Sequence, residues 1–233
     1  MPRKVRYKPR YKHTDRSRNH DRFAIGRTYA GFQKYVDEHP DINIVEMDTV
    51  IGTPGGKVLL TLFFRSCSVL AAFLLPDKSQ NSVIWRLNYL SDRLGIGLFR
   101  ETFGVILTDR GTEFSNPLAL ECDENGEIKT RVFYCDPYCS WQKGRIEKCH
   151  ELIRYVLPSG TSFNDLSQDD VTLLMNHINS YPRKSLNGKA LIDLARLLLD
   201  EKVLRVLQFI RIPPENVILK PALLRKNRFT DDQ

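Results

Sequence analysis

The chain has 233 residues, 42% of them hydrophobic, which is enough to bury a sizeable core in one main domain. It contains no run of about 18 uncharged apolar residues that would span a membrane, and no apolar segment follows the charged N-terminus as in a secretory signal. An odd number of cysteines, five, favours reduced thiols in a cytosolic compartment. The spacing of Cys135, Cys139, Cys149 and His150 is too loose to predict a zinc site.

The net charge of +7 is concentrated at the N-terminus. Residues 1–22 contain nine of the 35 Lys and Arg residues but only two of the 28 Asp and Glu residues, so the remaining 26 of each sign balance. We interpret residues 1–27 as a basic arm or linker that suits contact with nucleic-acid phosphates. A solubilising terminus is the alternative. The cations expected to contact phosphate are Arg3, Lys4, Arg6, Lys8, Arg10 and Lys12.

The first half of the chain predicts a short helix and three strands. A helix over Tyr29–Val36 is followed by a strand over Asn43–Asp48, with Asp48 at its end. Glycines and a proline in residues 52–56 predict a turn. The β-prone runs Lys57–Arg65 and Ser68–Leu75 predict a hairpin whose strands are buried on both faces.

Helices and strands then alternate. Apolar residues at helical spacing from Val83 to Leu94 predict a helix that ends at Gly95, capped by Ser79 or Asn81. Strands over residues 105–109 and 131–135 follow, separated by a polar loop at residues 122–127, and another helix runs from about residue 141 to 157. This order predicts an α/β fold with a mixed five-stranded sheet flanked by helices.

The C-terminal third predicts helices and basic turns. Ser167–Asp170 has the pattern of a capping box, and the apolar segment Leu191–Phe209 is expected to cover the sheet. The basic turn Tyr181–Lys184 is interpreted either as a DNA contact or as a solvated loop. Residues 201–233 are assigned to a C-terminal helical and basic tail.

Three carboxylates stand where a catalytic site could form. Asp48 and Asp109 lie at predicted strand ends, with 60 residues between them, and Glu147 lies early in a predicted helix. Neighbouring strands can bring such aspartates together. Carboxylate oxygens are the ligands that Mg²⁺ prefers, and a pair of such ions can promote in-line attack on a phosphodiester. The three residues therefore predict a metal-dependent nucleic-acid enzyme.

The helix that carries Glu147 has two distinct faces at about 100° per residue. One face is expected to pack on the sheet and comprises Ile146, Cys149, Ile153 and Val156. An opposite stripe contains Lys143, Glu147, His150, Glu151 and Arg154. Such a stripe is equally typical of a solvated surface. If Glu147 binds metal, Lys143 and Arg154 are placed to hold phosphates on either side of the cut.

Three ordered motifs carry a resemblance to a known family. They are Val45–Thr49, Leu107–Phe114, and Asp136–Gly144 followed by Glu147. Together they resemble the DDE transposases, and most closely the insertion-sequence family numbered thirty, whose core is a ribonuclease-H-like integrase domain. The resemblance extends over about residues 23–198. It implies that residues 28–200 form the integrase-type catalytic domain.

The resemblance implies roles for individual residues. Asp48, Asp109 and Glu147 take the positions of the family's catalytic and metal-binding carboxylates, with Mg²⁺ as cofactor, Mn²⁺ as a substitute, and two ions at the site. The activity implied is cleavage at transposon ends and strand transfer of the 3′-hydroxyl into target DNA. Double-stranded DNA and a homo-oligomer are the implied partners, and the bacterial cytoplasm and nucleoid the location.

Further residues are expected near the DNA. Trp141, Gln142 and Lys143 would lie beside the DNA end, with Arg110 as another contact and Glu113 and Tyr138 as weaker candidates.

The chain departs from the family pattern in three ways. A basic segment stands where members carry a helix-turn-helix region, 37 residues separate Asp109 from Glu147, and Ile146 and Lys148 replace the usual asparagine beside the glutamate. The polar loop at residues 122–127 is a plausible insertion. A non-catalytic DNA-binding relic and a ribonuclease-H-type nuclease acting on RNA hybrids are the alternative functions, since one fold hosts several chemistries.

Overall fold

The computed structural model of the chain describes residues 22–225. The cations of the basic arm, Arg3, Lys4, Arg6, Lys8, Arg10 and Lys12, therefore lie outside the described residues. Within residues 22–225, no helix is both long enough and apolar enough to cross a bilayer. All five cysteines are free thiols.

Five strands form one mixed sheet in the order β3-β2-β1-β4-β5. They are β1 (Ile44–Ile51), β2 (Val58–Phe64), β3 (Val69–Leu75), β4 (Val105–Thr108) and β5 (Arg131–Tyr134). The first three strands pair antiparallel, whereas β4 pairs parallel to β1 and β5 pairs parallel to β4. The predicted mixed five-stranded α/β sheet is confirmed, and its strand order and directions are those of a ribonuclease-H-like fold.

Helices flank this sheet. They are α1 (Tyr29–Glu38), α2 (Gln80–Leu94), α3 (Ile96–Thr102), α4 (Pro117–Glu121), α5 (Gly144–Val156), α6 (Gln168–Ser180), α7 (Leu191–Leu198), α8 (Glu201–Val206) and α9 (Ala222–Arg225). The predicted caps are confirmed, because Ser79 caps α2 and a capping box between Ser167 and Asp170 opens α6. The short helices α3 and α4 were not predicted, since neither extends beyond two turns of periodic sequence.

The sheet is buried on both faces. Every residue of β2 is buried, which confirms the prediction for this strand. Alternate residues enter different cores: Leu60 and Leu62 pack with α2, α7 and α8, whereas Leu59 and Phe63 pack with α5 and α6. The residues of α8, assigned above to the C-terminal tail, thus contribute to the same core as α7.

The first strand differs from its prediction at its C-terminal end. It continues three residues past Asp48 to Ile51, because β2 pairs with it antiparallel through that whole length. Its parallel pairing with β4 ends earlier, at Glu46 and Leu107. Asp48 is therefore inside β1 but beyond the last residue paired with β4. The sequence interpretation of Asp48 as the end of the strand was wrong. Asp48 nevertheless lies just past the point where β1 stops pairing with β4.

The outer edge of β3 is closed by side-chain amides from α6. Asn179, which is fully buried, accepts from the Leu70 N–H at 2.9 Å and donates to the Leu70 carbonyl at 2.8 Å. Gln168 makes the equivalent pair with the Leu74 N–H and the Ala72 carbonyl, at 2.9 and 3.1 Å. These four bonds satisfy backbone groups that an edge strand would otherwise leave unpaired.

We expect Asn179→Ala to lower the free energy of unfolding by about 2–4 kcal/mol, because it leaves two buried backbone groups of Leu70 without partners. Chemical denaturation of the two proteins measures this difference. Asn81→Ala, at an exposed site on α2, is the control and should change stability by less than about 0.5 kcal/mol. An equal effect of the two substitutions would contradict a structural role for the Asn179 amide.

Candidate active site

Asp48 and Asp109 come together where β1 and β4 part. Asp109 directly follows the last residue of β4, and Asp48 lies two residues beyond the last β1 residue that pairs with it. Because the two strands run parallel, both aspartates lie at the same end of the ladder. A hydrogen bond from Thr108 Oγ1 to the Met47 carbonyl, at 3.0 Å, joins the two segments just before the aspartates.

Each aspartate is held through one oxygen of its carboxylate. Asp48 Oδ1 accepts from the Thr49 N–H at 2.8 Å, and Asp109 Oδ1 accepts from the Gly111 N–H at 2.9 Å. Glycine at position 111 leaves room for two carboxylates, since a Cβ there would lie 3.0 Å from Asp109 Oδ1 and 2.6 Å from Glu113 Oε2. The backbone bonds fix both carboxylates and direct both Oδ2 atoms to a common point.

Lys143 occupies that common point. Its Nζ lies 3.0 Å from Asp48 Oδ2 and 3.5 Å from Asp109 Oδ2, and it donates to the Met47 carbonyl at 3.4 Å. The residue is only 3% exposed. Burial lowers the pKa of Lys143, but the charges of Asp48 and Asp109 outweigh burial and raise the pKa above its ordinary value. The lysine is therefore an ammonium ion bridging the two carboxylates at neutral pH.

Glu147 lies one helical turn beyond Lys143 on α5 and is exposed. The next turn places His150 Nε2 2.9 Å from Thr61 Oγ1, and that hydroxyl donates to the Asp48 carbonyl at 3.0 Å. Arg154, another turn on, donates to the Ile51 carbonyl at 2.9 Å. Glu147 thus lies between residues that contact the sheet: Lys143 before it, and His150 and Arg154 after it.

The two faces predicted for α5 are both recognisable. The apolar face is confirmed, since Ile146, Cys149, Ile153 and Val156 all belong to the core between α5 and the sheet. The charged stripe borders that face rather than lying opposite it. Lys143, His150 and Arg154 contact β1 or β2, whereas Glu147 and Glu151 are exposed.

A buried network connects the start of α5 to the sheet. Glu46, which is 1% exposed, binds Arg65 Nε at 2.7 Å through Oε1 and accepts from the Ile146 N–H at 3.0 Å through Oε2. Arg65 also donates to the Gln142 carbonyl at 3.2 Å. A carboxylate at a helix N-terminus satisfies a free N–H and complements the helix dipole. Glu46 therefore fixes the first turn of α5, which carries Glu147 and directly follows Lys143.

The residues expected to contact DNA have different surroundings. The indole of Trp141 is 70% exposed and packs edge-on against Tyr29 with ring centroids 6.0 Å apart. Gln142 is 5% exposed, and its amide exchanges hydrogen bonds with Asp136, accepting from its N–H at 2.7 Å and donating to its Oδ2 at 3.0 Å. Arg110 donates to the Cys135 carbonyl at 3.2 Å. In this conformation Trp141 faces solvent, whereas the amide of Gln142 is used internally.

Sequence reasoning missed the structural carboxylates around the aspartate pair. Glu46 is two residues before Asp48 in β1, a spacing that the twofold period of a strand could have indicated. Glu113 was only a weak candidate, yet it is 2% exposed, accepts from Thr49 Oγ1 at 2.7 Å and lies 3.3 Å from Lys78 Nζ. Its other oxygen, Oε2, has no hydrogen-bond partner among the described residues.

The aspartate pair fits a hard divalent cation, but Glu147 does not lie close enough to the pair to act as a third ligand in this conformation. Two carboxylate oxygens that already converge on a cation are suitable ligands for Mg²⁺. Within residues 22–225, no three His, Cys, Asp or Glu side chains are grouped closely enough to hold a metal ion. Glu147 is therefore separate from Asp48 and Asp109 in this conformation.

We expect Glu46→Ala to lower the free energy of unfolding by about 2–4 kcal/mol, less than for a fully buried pair because the Arg65 side chain retains 23% exposure. Denaturation by urea measures the loss. Glu151→Ala on the exposed side of α5 is the control, with an expected change below about 0.5 kcal/mol. A Glu46→Ala protein as stable as the control would show that the network does not hold α5.

A pH dependence of stability follows from His150. Burial lowers the pKa of His150, and Lys143 and Arg154 lower it further against the opposing effect of Asp48. The folded state then binds this proton less readily than the unfolded state, whose histidine pKa is about 6.5. The contribution of neutral His150 to the free energy of unfolding is therefore fully present above about pH 6.5 and is lost as the pH falls below that value.

We expect His150→Gln, whose amide can still bond to Thr61, to reduce the loss of unfolding free energy between about pH 7 and pH 5. Denaturation in the presence of a chelator at several pH values tests this. His39→Gln, at an exposed histidine of the same chain, should leave the pH dependence unchanged. An unchanged slope in His150→Gln would refute the assignment.

Comparison with known proteins identifies relatives of this chain. The transposase for insertion sequence element IS1086 of Cupriavidus metallidurans is 34% identical over 142 residues, covering 61% of this chain and 40% of that protein. The transposase for IS4351 of Bacteroides fragilis is 28% identical over 172 residues, covering 69% and 49%. Transposase InsI of IS30C from Escherichia coli is 29% identical over 163 residues, covering 66% and 38%. No protein-family model matches the chain.

Two solved structures share 16% sequence identity with the chain. A chain of the simian T-cell lymphotropic virus intasome in complex with PP2A regulatory subunit B56 gamma gives a TM-score of 0.49, over 65% of this chain and 53% of that chain. The catalytic core domain of BIV integrase gives 0.44, over 65% and 91%. Because both scores are low, the fold is assigned from the strand order and the pairing directions of the sheet.

The chain spans half or less of the length of these curated relatives. The chain is thus similar in sequence to transposases of insertion sequences, IS30C among them.

Proposed function

We propose that this chain acts as the catalytic part of a DDE transposase, which cleaves DNA at transposon ends and joins the freed 3′ end to target DNA. The observation that carries the proposal is the aspartate pair, whose Oδ2 atoms are directed to one cation at 3.0 and 3.5 Å. Relatedness to transposases supports the choice of reaction.

The proposed cofactor is Mg²⁺, for which Mn²⁺ would substitute, and two ions are proposed in the active complex. Asp48 and Asp109 would hold metal, with Glu147 proposed as a further ligand. Bound divalent ions would assist attack by an oxygen nucleophile and departure of the leaving oxygen. This chemistry requires no covalent intermediate with a side chain of the protein.

The chain itself supplies rigid placement of these carboxylates. The N–H groups of Thr49 and Gly111 hold the aspartates, and Glu46 holds the first turn of α5 that carries Glu147. For Asp48 and Asp109, this preorganisation limits the rearrangement that the reaction requires. The support comes from the backbone and from buried charges rather than from mobile surface side chains.

The proposed substrate is double-stranded DNA, both as transposon end and as target. Trp141 is proposed to stack beside the DNA end, because its ring is exposed next to the site. Lys143, Arg154 and Arg110 are proposed phosphate contacts, together with Gln142 and the basic arm. A homo-oligomer would pair two ends, and the bacterial cytoplasm at the nucleoid is the proposed location.

We expect Asp48→Asn, Asp109→Asn and Glu147→Gln each to reduce cleavage by roughly 10³-fold or more, as the loss of several kcal/mol of transition-state stabilisation implies. Nicking of a supercoiled plasmid carrying transposon ends, with Mg²⁺ or Mn²⁺, measures this. Glu151→Gln, one turn from Glu147 and also exposed, is the matched control and should retain activity. Unfolding temperatures establish that each variant is folded.

A second assay separates transposition from hydrolysis. A DNA substrate with a pre-cut 3′ end should yield a joined product with the wild-type chain. Cleavage of RNA–DNA hybrids without joined product would favour a ribonuclease-H-type nuclease. Absence of cleavage and joining with either metal would contradict the enzymatic proposal and favour a non-catalytic relic.

A further inference from the structure

We infer that Lys143 is an exchangeable internal cation, which holds the aspartate pair together without metal and leaves it when a divalent ion binds. The inference rests on the proposed function, because it concerns the same two carboxylates. It gives Lys143 a role at the metal site in addition to the DNA contact proposed above.

The ammonium group has as many acceptors as it has protons. Its three nearest oxygens are Oδ2 of Asp48, Oδ2 of Asp109 and the Met47 carbonyl, at 3.0, 3.5 and 3.4 Å. A lysine ammonium carries three donors and no acceptor. With 3% exposure, ion pairs to both aspartates and a hydrogen bond to the Met47 carbonyl, Lys143 does not present its ammonium group to a DNA phosphate in this state.

Lys143 also replaces a function that metal would otherwise provide. Two carboxylates directed at one point repel each other unless a positive charge lies between them. In the described conformation that charge is Nζ of Lys143. The aspartates can therefore stay in their catalytic arrangement before metal arrives, which lowers the reorganisation required on binding.

The lysine and a divalent ion cannot share the site. A metal bound to the two Oδ2 atoms would use the same oxygens that now form ion pairs with Nζ, and two cations at such short range repel strongly. Metal binding must then displace the ammonium or be weakened by it. Departure is feasible, since Lys143 lies at the N-terminus of α5, two residues after the exposed Trp141, and its flexible stem can redirect the ammonium to solvent.

Displacement would couple metal binding to DNA binding. The freed ammonium would be available at the edge of the site, one turn before Glu147, where a phosphate contact was expected from the sequence. The two roles of Lys143 are then successive: it holds the carboxylates first and contacts phosphate after metal has bound.

The first test measures binding of Mn²⁺ to the DNA-free chain by isothermal titration calorimetry. Removing the lysine charge in Lys143→Met should tighten Mn²⁺ binding by roughly tenfold or more, because no cation has to be displaced. Lys148→Met removes an exposed charge from the same helix and should change the affinity by less than about twofold. Equal or weaker binding in Lys143→Met would overturn the inference.

The second test needs no folded variant, because it follows Lys143 in the wild-type chain. Acylation by an amine-reactive reagent, read by mass spectrometry, should leave Lys143 unmodified without metal and modify it when Mg²⁺ is saturating. Lys148 should react equally in both conditions. Continued protection of Lys143 with bound metal would show that the lysine stays in place, and would refute displacement.

Asp48→Asn separates failure of this inference from failure of the proposed function. One outcome is that the wild-type chain binds Mn²⁺, that Asp48→Asn abolishes this binding, and that Lys143→Met does not tighten it. The metal site would then be correct and the exchange of Lys143 for metal would be wrong. If neither the wild-type chain nor Lys143→Met binds Mn²⁺ through Asp48, the metal site itself is absent, and both proposals fail.

Discussion

The mutual repulsion of Asp48 and Asp109 is the constraint on which the rest of the site depends. Parallel pairing of β1 with β4 brings the two carboxylates to one end of the ladder, and backbone N–H groups fix them there. A positive charge between the two Oδ2 atoms removes this repulsion while both carboxylates stay ionised. In the described conformation Lys143 provides that charge. Its ion pairs with Asp48 and Asp109 therefore also hold the start of α5 against the sheet.

The position of α5 is maintained by a second buried charge system. Glu46 uses one oxygen for Arg65 and the other for the N-terminus of α5, so neither charge is buried without a partner. Around this point the helix packs its apolar face on the sheet and turns its charged stripe along β1. Around α5, the proposed chemistry therefore uses the exposed Glu147 and the displaceable Lys143, at the end of the helix that Glu46 holds.

The sequence predicted the sheet because its signals were local. Continuous β-prone runs, a serine cap and a glycine stop each depend on neighbouring residues, and the strands and α2 follow them. The extension of β1 past Asp48 depends on its pairing with β2, and the short helices α3 and α4 have too few turns for a periodic signal. Likewise, the carboxylate motifs indicated Asp48 and Asp109, but the bridging by Lys143 arises from contacts between residues 96 positions apart, such as Lys143 and Met47.

Metal binding between the aspartates can be observed by diffraction from crystals soaked in MnCl₂, with data collected near the manganese absorption edge. We expect an anomalous peak between Asp48 and Asp109 within bonding distance of both Oδ2 atoms, with the Lys143 ammonium moved away from that position. Lys143 still bridging the two aspartates, with no anomalous peak beside them at saturating Mn²⁺, would contradict this expectation.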